Sequence, residues 1–135
     1  MKHDFFNPPD LYTPPEGMYS LLAKSGNMLH VSGLLPLDQN GNVVGLNDVT
    51  AQYRKVWENI LIALKYAGGD LSDLIKTSTY IVGRENIEPV RKIRQELNPN
   101  PPPASTLILV AGLANDECLV EVDAVAIIDR NGECH

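Results

Sequence analysis

Two carboxylates near the C-terminal end are the clearest candidates for acid–base catalysis. Glu121 and Asp123 lie two positions apart in an apolar run at residues 119–128. If this run is a strand, both side chains project from the same face. A carboxylate in a partly buried place has a pKa raised toward neutrality and can act as a general acid or base. Glu121 is therefore the candidate catalytic residue.

The surroundings of the two carboxylates allow two interpretations. The opposite face of the strand carries only small or apolar side chains: Val120, Val122, Ala124 and Ala126. This is the face that covering helices require. Leu119, Val125 and Ile127 share the face of the carboxylates, which favours burial against a partner chain. The ordinary alternative, a hydrated or salt-bridged pair, stays open at this point.

Runs of β-branched, aromatic and alternating residues predict the strands that must position this face. They lie at residues 18–24, 28–32, 74–82, 106–111 and 119–128. One helix is predicted to begin at Asn47 or Asp48 and to end before Gly68-Gly69. A second begins at Asn86 and stops before the prolines that follow Asn98. The order β-β-α-β-α-β-β predicts an α+β two-layer fold, with both helices on one face of a shared sheet.

The length of 135 residues fits one domain. Residues 1–17 contain four prolines, so we expect an irregular N-terminal lead-in there. The domain itself is predicted at residues 18–129, followed by a short polar tail at 130–135.

Composition and charge exclude several classes of partner. The net charge of -6 disfavours binding to nucleic acid, which depends on Lys and Arg contacts with phosphates. No apolar run approaches the roughly 18 residues of a membrane span, so we expect a cytoplasmic protein without membrane contact.

The two cysteines are expected to be reduced thiols. His3, His30 and His135 are too scattered for a metal site, and we expect neither metal nor cofactor.

Two other residues have a weaker claim to chemistry. Ser105 could act as a nucleophile, but no histidine is evidently placed to activate it. Cys118 could be a redox thiol, but it has no CxxC partner, so a structural role is favoured.

Several short motifs along the chain together resemble the Rid/YjgF family. They are Tyr19, Val31-Ser32-Gly33 followed by Pro36 and Asp38, Ala67-Gly68-Gly69, Pro103-Ala104, and the run from Val120 to Ala126. The resemblance spans about residues 17 to 128, and it depends on the order and separation of the motifs rather than on any one of them. It implies a fold similar to one type of chorismate mutase. It also implies a cofactor-free homotrimer with small-molecule clefts between subunits.

The resemblance also implies the residues of the cleft. Deaminating members carry an arginine directly after Pro-Ala, which holds the substrate carboxylate, and a glutamate on the last strand, which orients water and moves protons. These positions match Ser105 and Glu121. Tyr19 and Gly33 match other substrate-binding positions, and Leu107 stands where several members have cysteine.

A serine at position 105 changes what this cleft can bind. A hydroxyl has no charge and cannot form the planar bidentate contact of an arginine, so simple 2-imino acids should lose their main anchor. Arg91, on the second predicted helix, matches a cleft-lining asparagine of the family. It could bind the substrate anion in place of the missing arginine. The alternative is that Arg91, like Arg94, is a solvated helix residue.

The resemblance therefore implies an imine or enamine deaminase whose substrate differs from the simplest 2-imino acids. The alternative from another class is a non-catalytic trimer that binds a small metabolite in the same cleft. RNA cleavage, attached to some relatives, is the least favoured reading because the chain is acidic and lacks a basic patch.

Overall fold

The structure is a computed structural model that describes residues 2–129, and the tail predicted at 130–135 lies outside them. The strands are β1 Asp4–Phe6, β2 Leu22–Ser25, β3 Met28–Leu34, β4 Leu74–Val82, β5 Ala104–Val110 and β6 Val120–Ile127. The helices are α1 Val49–Tyr66 and α2 Ile87–Leu97, with short 3-10 turns at Leu71–Asp73 and Arg84–Asn86. The α+β arrangement and the order of its elements are those predicted from the sequence, with one strand added.

The added strand corrects the prediction of an irregular lead-in over residues 1–17. Asp4–Phe6 pairs antiparallel with β2, and Leu11 farther along is buried in the core. A three-residue strand is too short to have a recognisable local pattern. It forms because it pairs with β2. The strand predicted at 18–24 begins only at Leu22, and residues 18–21 form an irregular approach to it.

The sheet has the order β1-β2-β3-β6-β4-β5. β4 and β5 are parallel, and α2 lies in the connection between them, whereas the other pairs are antiparallel. Both helices contribute buried side chains to one layer, and α1 contacts β3 and β6. Val120, Val122, Ala124 and Ala126 are buried, as the alternation in β6 predicted. The face that carries Glu121 is therefore the one turned away from the helices.

The ends of α1 follow the predicted capping signals. The Asp48 side chain accepts a hydrogen bond from the backbone N–H of Ala51 at 3.1 Å, and Gly68 adopts a φ of 86° beyond the last turn. Neither helix of the described part of the chain is long and apolar enough to cross a bilayer.

A bulge in β3 shapes the surface next to Glu121. Val31 pairs with Ala124 and Leu34 with Val122, so β3 has one residue more than β6 over this stretch. Such bulges redirect side chains and locally bend a strand. The extra residue falls at Ser32-Gly33, opposite the segment of β6 that carries the two carboxylates.

Candidate active site

Glu121 lies against the backbone of Gly33 on the helix-free face of the sheet. A Cβ atom built on Gly33 would lie 2.8 Å from Glu121 Cδ and would overlap the nearer carboxylate oxygen. The φ of Gly33 is not in the left-handed region, so glycine is needed here for space alone. The β3 bulge and this missing side chain together hold the carboxylate against the sheet.

The environment of Glu121 favours its protonated form. Burial raises the pKa of Glu121, and the negative charge of Asp123 raises it further. Burial and a nearby negative charge are two of the influences by which proteins raise the pKa of a carboxyl group. A raised pKa is the direction of shift expected for a carboxyl group that serves as a general acid or base.

Asp123, the other carboxylate of this face, is held by Tyr80. The Tyr80 hydroxyl donates a hydrogen bond to Asp123 Oδ2 at 2.8 Å, and this bond is the main cause of the raised pKa of Tyr80. Tyr80 lies on β4 directly opposite Glu121. Tyr80 was not identified from the sequence, because only the pairing of β4 with β6 shows that it shares the face of the carboxylates.

Tyr19 is brought beside Gly33 by the irregular segment before β2. Ser32 holds this segment: its hydroxyl donates to the Ser20 carbonyl at 2.7 Å, and its backbone N–H donates to the Leu21 carbonyl at 2.9 Å. Tyr19 and Gly33 line a small cavity of about 40 Å³, with the Asn59 side chain in its wall. Gly33 is therefore adjacent to two other predicted site residues, Glu121 and Tyr19.

Ser105 and Leu107 lie on the opposite face of the sheet. In the parallel pairing of β4 with β5, Ser105 is beside Thr77 and Leu107 beside Thr79. Both threonines are buried on the helix-facing side. Within one chain the sheet therefore separates these two predicted residues from Glu121.

Arg91 is on the outside of α2. Its side chain is 64% exposed and forms an ion pair with Glu88 at 3.1 Å, one turn earlier in the same helix. In the described chain this is a solvent-exposed surface pair, the type that contributes little to stability. The proposed role of Arg91 as an anion anchor stays a prediction.

The helix-free face of the sheet is uncovered in the described chain. A shallow groove of about 370 Å³ follows β3 and β6 there, with Ser32 and Asp123 among its lining residues. On the same face, Ile108 of β5 is 44% exposed. Apolar side chains mixed with partly buried carboxylates are unusual for a fully hydrated surface.

Glycine at position 33 has a testable consequence for the geometry of this site. Gly33→Ala should displace the Glu121 carboxylate and reduce any Glu121-dependent turnover roughly a hundredfold, because displacements near 1 Å have effects of that order. Gly112→Ala is the matched control, since a Cβ atom there meets nothing within 4 Å and the residue has no positive φ. Equal activity of wild type and Gly33→Ala would show that the carboxylate is not used in this position.

The sequence and the fold match those of a known protein family. The family model described as Endoribonuclease L-PSP matches residues 12–128. The chain therefore belongs to this family, the Rid/YjgF family that the sequence motifs resemble.

Individual relatives cover almost the whole chain. The 3-aminoacrylate deaminase RutC of Acinetobacter baylyi is 34% identical over 118 residues, which is 87% of this chain and 93% of that protein. A RutC family protein of Pyrococcus horikoshii is 32% identical over 112 residues, covering 83% of this chain and 88% of that protein. The structure of the Rid family protein YyfA from Yersinia pestis superposes with a TM-score of 0.86 at 26% identity, covering 94% of this chain and all of that one.

Proposed function

We propose that this protein is a hydrolytic deaminase that converts a small imine or enamine into a carbonyl compound and ammonia. The observation that carries the proposal is the half-buried Glu121 carboxyl group, packed on Gly33 and with its pKa raised by burial and by Asp123. The similarity to a relative named as a 3-aminoacrylate deaminase supports this reaction class, since 3-aminoacrylate is an enamine.

The proposed reaction needs one group that first accepts and then donates a proton. Glu121 takes a proton from water as the water oxygen forms a bond to the C=N carbon, and that proton passes to the nitrogen. The resulting carbinolamine then loses its C–N bond while its hydroxyl proton, carried by Glu121, leaves with the nitrogen as ammonia. An enamine enters the same sequence after tautomerising to the imine, as its β-carbon gains a proton and its nitrogen loses one. No redox step or cofactor takes part.

The proposal includes a homotrimer, because one chain holds only part of the site. Glu121 packs on Gly33 on the helix-free face, with Tyr19 beside Gly33, whereas Ser105 and Leu107 lie on the helix-facing side of the edge strand β5. Both groups can contact one substrate if the edge of a neighbouring copy meets the uncovered sheet face. The apolar side chains on that face support its burial between copies.

The substrate is proposed to differ from the simplest 2-imino acids. Ser105 occupies the position that the family resemblance assigns to a carboxylate-binding arginine, and Leu107 makes its surroundings more apolar. The same feature supports a second candidate function: a trimer that binds a small metabolite without turning it over. The two functions differ in whether bound imine is consumed.

Measuring ammonia release tests the proposal directly. Freshly generated imines and enamines, including bulky and dicarboxylate examples, would be mixed with the protein, and ammonia would be followed above the buffer rate. Acceleration with any of them supports the deaminase. No acceleration, combined with binding of the corresponding stable carbonyl compounds, would favour the metabolite-binding trimer. A monomeric mass by light scattering would contradict the part of the proposal that shares the site between copies.

The neighbouring charge predicts a shift in the pH profile. Asp123→Asn removes the charge that raises the Glu121 pKa but keeps an oxygen that can accept from Tyr80. Because the Glu121 pKa then falls, the basic form is reached earlier, and the acid limb of the rate profile should move to lower pH. Tyr80→Phe, which keeps the Asp123 charge, is the comparison variant. An acid limb that does not move in Asp123→Asn would contradict the assignment of that limb to Glu121.

A further inference from the structure

The buried face of α1 carries two polar side chains among apolar ones. Gln52 and Asn59 are 0% and 4% exposed, and they share a stripe of the helix with the buried Val56 and Ala63. The two amides are seven residues apart, which is about two helical turns and about 10 Å along the axis. A buried amide is costly unless its hydrogen bonds are made, so the partners of these two side chains show what this face of α1 holds.

Asn59 holds the chain directly after β3. Its Nδ2 donates hydrogen bonds to the carbonyl oxygens of Leu35 and Leu37 at 3.1 and 3.0 Å. The pairing of β3 with β6 ends at Leu34, opposite Val122. Beyond that pair, the Asn59 amide attaches the end of β3 to the helix layer.

Gln52 holds the chain directly before β6. Its Nε2 donates to the Glu117 carbonyl at 3.0 Å, and its Oε1 accepts from the Leu119 N–H at 2.7 Å. Leu119 is also fixed from the neighbouring strand, because its carbonyl accepts from the Val82 N–H at 2.9 Å. The remaining bond of Gln52 goes to the Gly45 carbonyl, in the loop that connects β3 to α1. Gln52 therefore joins the loop after β3 to the loop before β6.

These attachments lie at the end of the sheet where Gly33 and Glu121 meet. β3 and β6 are antiparallel, so the last residues of β3 are beside the first residues of β6. Gly33 lies in the β3 bulge, and its missing side chain leaves the space that the Glu121 carboxyl group fills. Because a bulge interrupts the ladder, the ladder by itself does not fix how closely the two residues approach. Two anchors at a constant spacing on one rigid helix can fix that distance.

We propose that Asn59 and Gln52 are positioning residues, which hold the ends of β3 and β6 at the separation that packs Glu121 on Gly33. They act through the backbone and from the opposite side of the sheet, so neither needs to touch a substrate. The alternative is that the two amides stabilise the fold without any effect on the site. The inference rests on the proposed function only for its effect on turnover, since the environment of Glu121 can be measured without a substrate.

The test follows the Glu121 carboxyl group by carbon NMR of the intact protein, labelled at its glutamate side chains. The Glu121 signal is identified by its loss in Glu121→Gln, and its titration is compared among variants. Asn59→Ala should lower the pKa of Glu121 toward its ordinary value, because a carboxyl group displaced from Gly33 is better hydrated. Ile60→Ala is the matched control. It removes a buried apolar side chain of the same helix, so it should lower the melting temperature and leave that pKa unchanged.

Two further variants and one further measurement accompany this titration. Asn59→Ser, which keeps a hydroxyl donor and leaves a smaller cavity, takes the place of Asn59→Ala if the latter does not fold, and should give a smaller shift in the same direction. Gln52→Leu should also lower the Glu121 pKa, since it releases the other anchor. Where the wild type releases ammonia, Asn59→Ala should lower kcat about tenfold or more and change KM less than about threefold, because small displacements of a catalytic group have large effects on rate.

The outcomes distinguish the positioning role from the deaminase proposal. An unchanged Glu121 pKa in folded Asn59→Ala, or an equal shift in Ile60→Ala, would show that the amide only stabilises the fold and would overturn the inference. A Glu121 pKa that is not raised in the wild type would overturn it as well. A shift confined to the Asn59 and Gln52 variants supports it. If the wild type then hydrolyses no imine, the deaminase proposal fails and the positioning role stands. Turnover that is unaffected although the pKa has shifted would leave Glu121 positioned as proposed but without a part in the reaction.

Discussion

Replacing Glu121 by glutamine should reduce the catalysed release of ammonia by about a hundredfold or more, with the fold retained. General acid–base groups contribute factors of about 10² to 10⁴ to rates. The amide keeps the size of the carboxyl group and can occupy the same space on Gly33, but it cannot accept a proton from water. The loss therefore isolates proton transfer from packing.

The stability of this variant separates a catalytic role from a structural one. Burial and the nearby Asp123 both disfavour the charged form of Glu121, as its raised pKa indicates. A neutral amide at this position should therefore leave the melting temperature unchanged or raise it near neutral pH. Glu117→Gln is the matched control, because that glutamate is exposed in the loop before β6. Full activity of Glu121→Gln, measured beside this control, would remove Glu121 from the mechanism.

Replacing Gln52 by leucine should lower the free energy of unfolding by about 3–5 kcal/mol, because three backbone groups lose their partner. Gln52 is 0% exposed in the first turn of α1. Its Nε2 donates to the carbonyls of Gly45 and Glu117 at 3.1 and 3.0 Å, and its Oε1 accepts from the Leu119 N–H at 2.7 Å.

The expected loss is large because leucine has a similar size but cannot replace any of these bonds. The Gly45 and Glu117 groups belong to the loops before α1 and before β6, so the loss should also loosen the entry to the strand that carries Glu121. Total stabilities of domains are roughly 5–15 kcal/mol, so a change of this size is readily measured by urea unfolding.

The matched control is Gln95→Leu, an exposed glutamine in the other helix. It should change the free energy of unfolding by less than about 0.5 kcal/mol, as surface substitutions usually do. Similar unfolding midpoints for the two variants would mean that the Gln52 network does not stabilise the native state.

Local patterns in the sequence were sufficient for most of the fold. The cap at Asp48, the glycines after α1 and the apolar spacing within α1 are properties of neighbouring residues, and the structure confirms the helix they predict. The alternation in β6 likewise gave the correct buried face. Only pairing with β2 stabilises β1, and no local pattern in its three residues could reveal it.

Local sequence patterns predicted only some of the residues of the candidate site. Glu121 was found because two carboxylates in an apolar strand form a visible exception. Tyr80 was missed because its position beside Glu121 depends on the pairing of strands about forty residues apart. Whether Arg91 lies on a free helix surface also depends on the tertiary structure, which pairs it with Glu88 and leaves it 64% exposed.

The type of each main element and the face of β6 that carries Glu121 could be predicted from local patterns, because periodicity is set by residues a few positions apart. Two other features could be seen only in the folded chain: the β3 bulge brings Gly33 under Glu121, and the parallel register of β5 turns Ser105 to the opposite face. Register and bulges arise from hydrogen bonds between distant segments. A shift of one residue in either would exchange the faces of a strand without changing its local pattern.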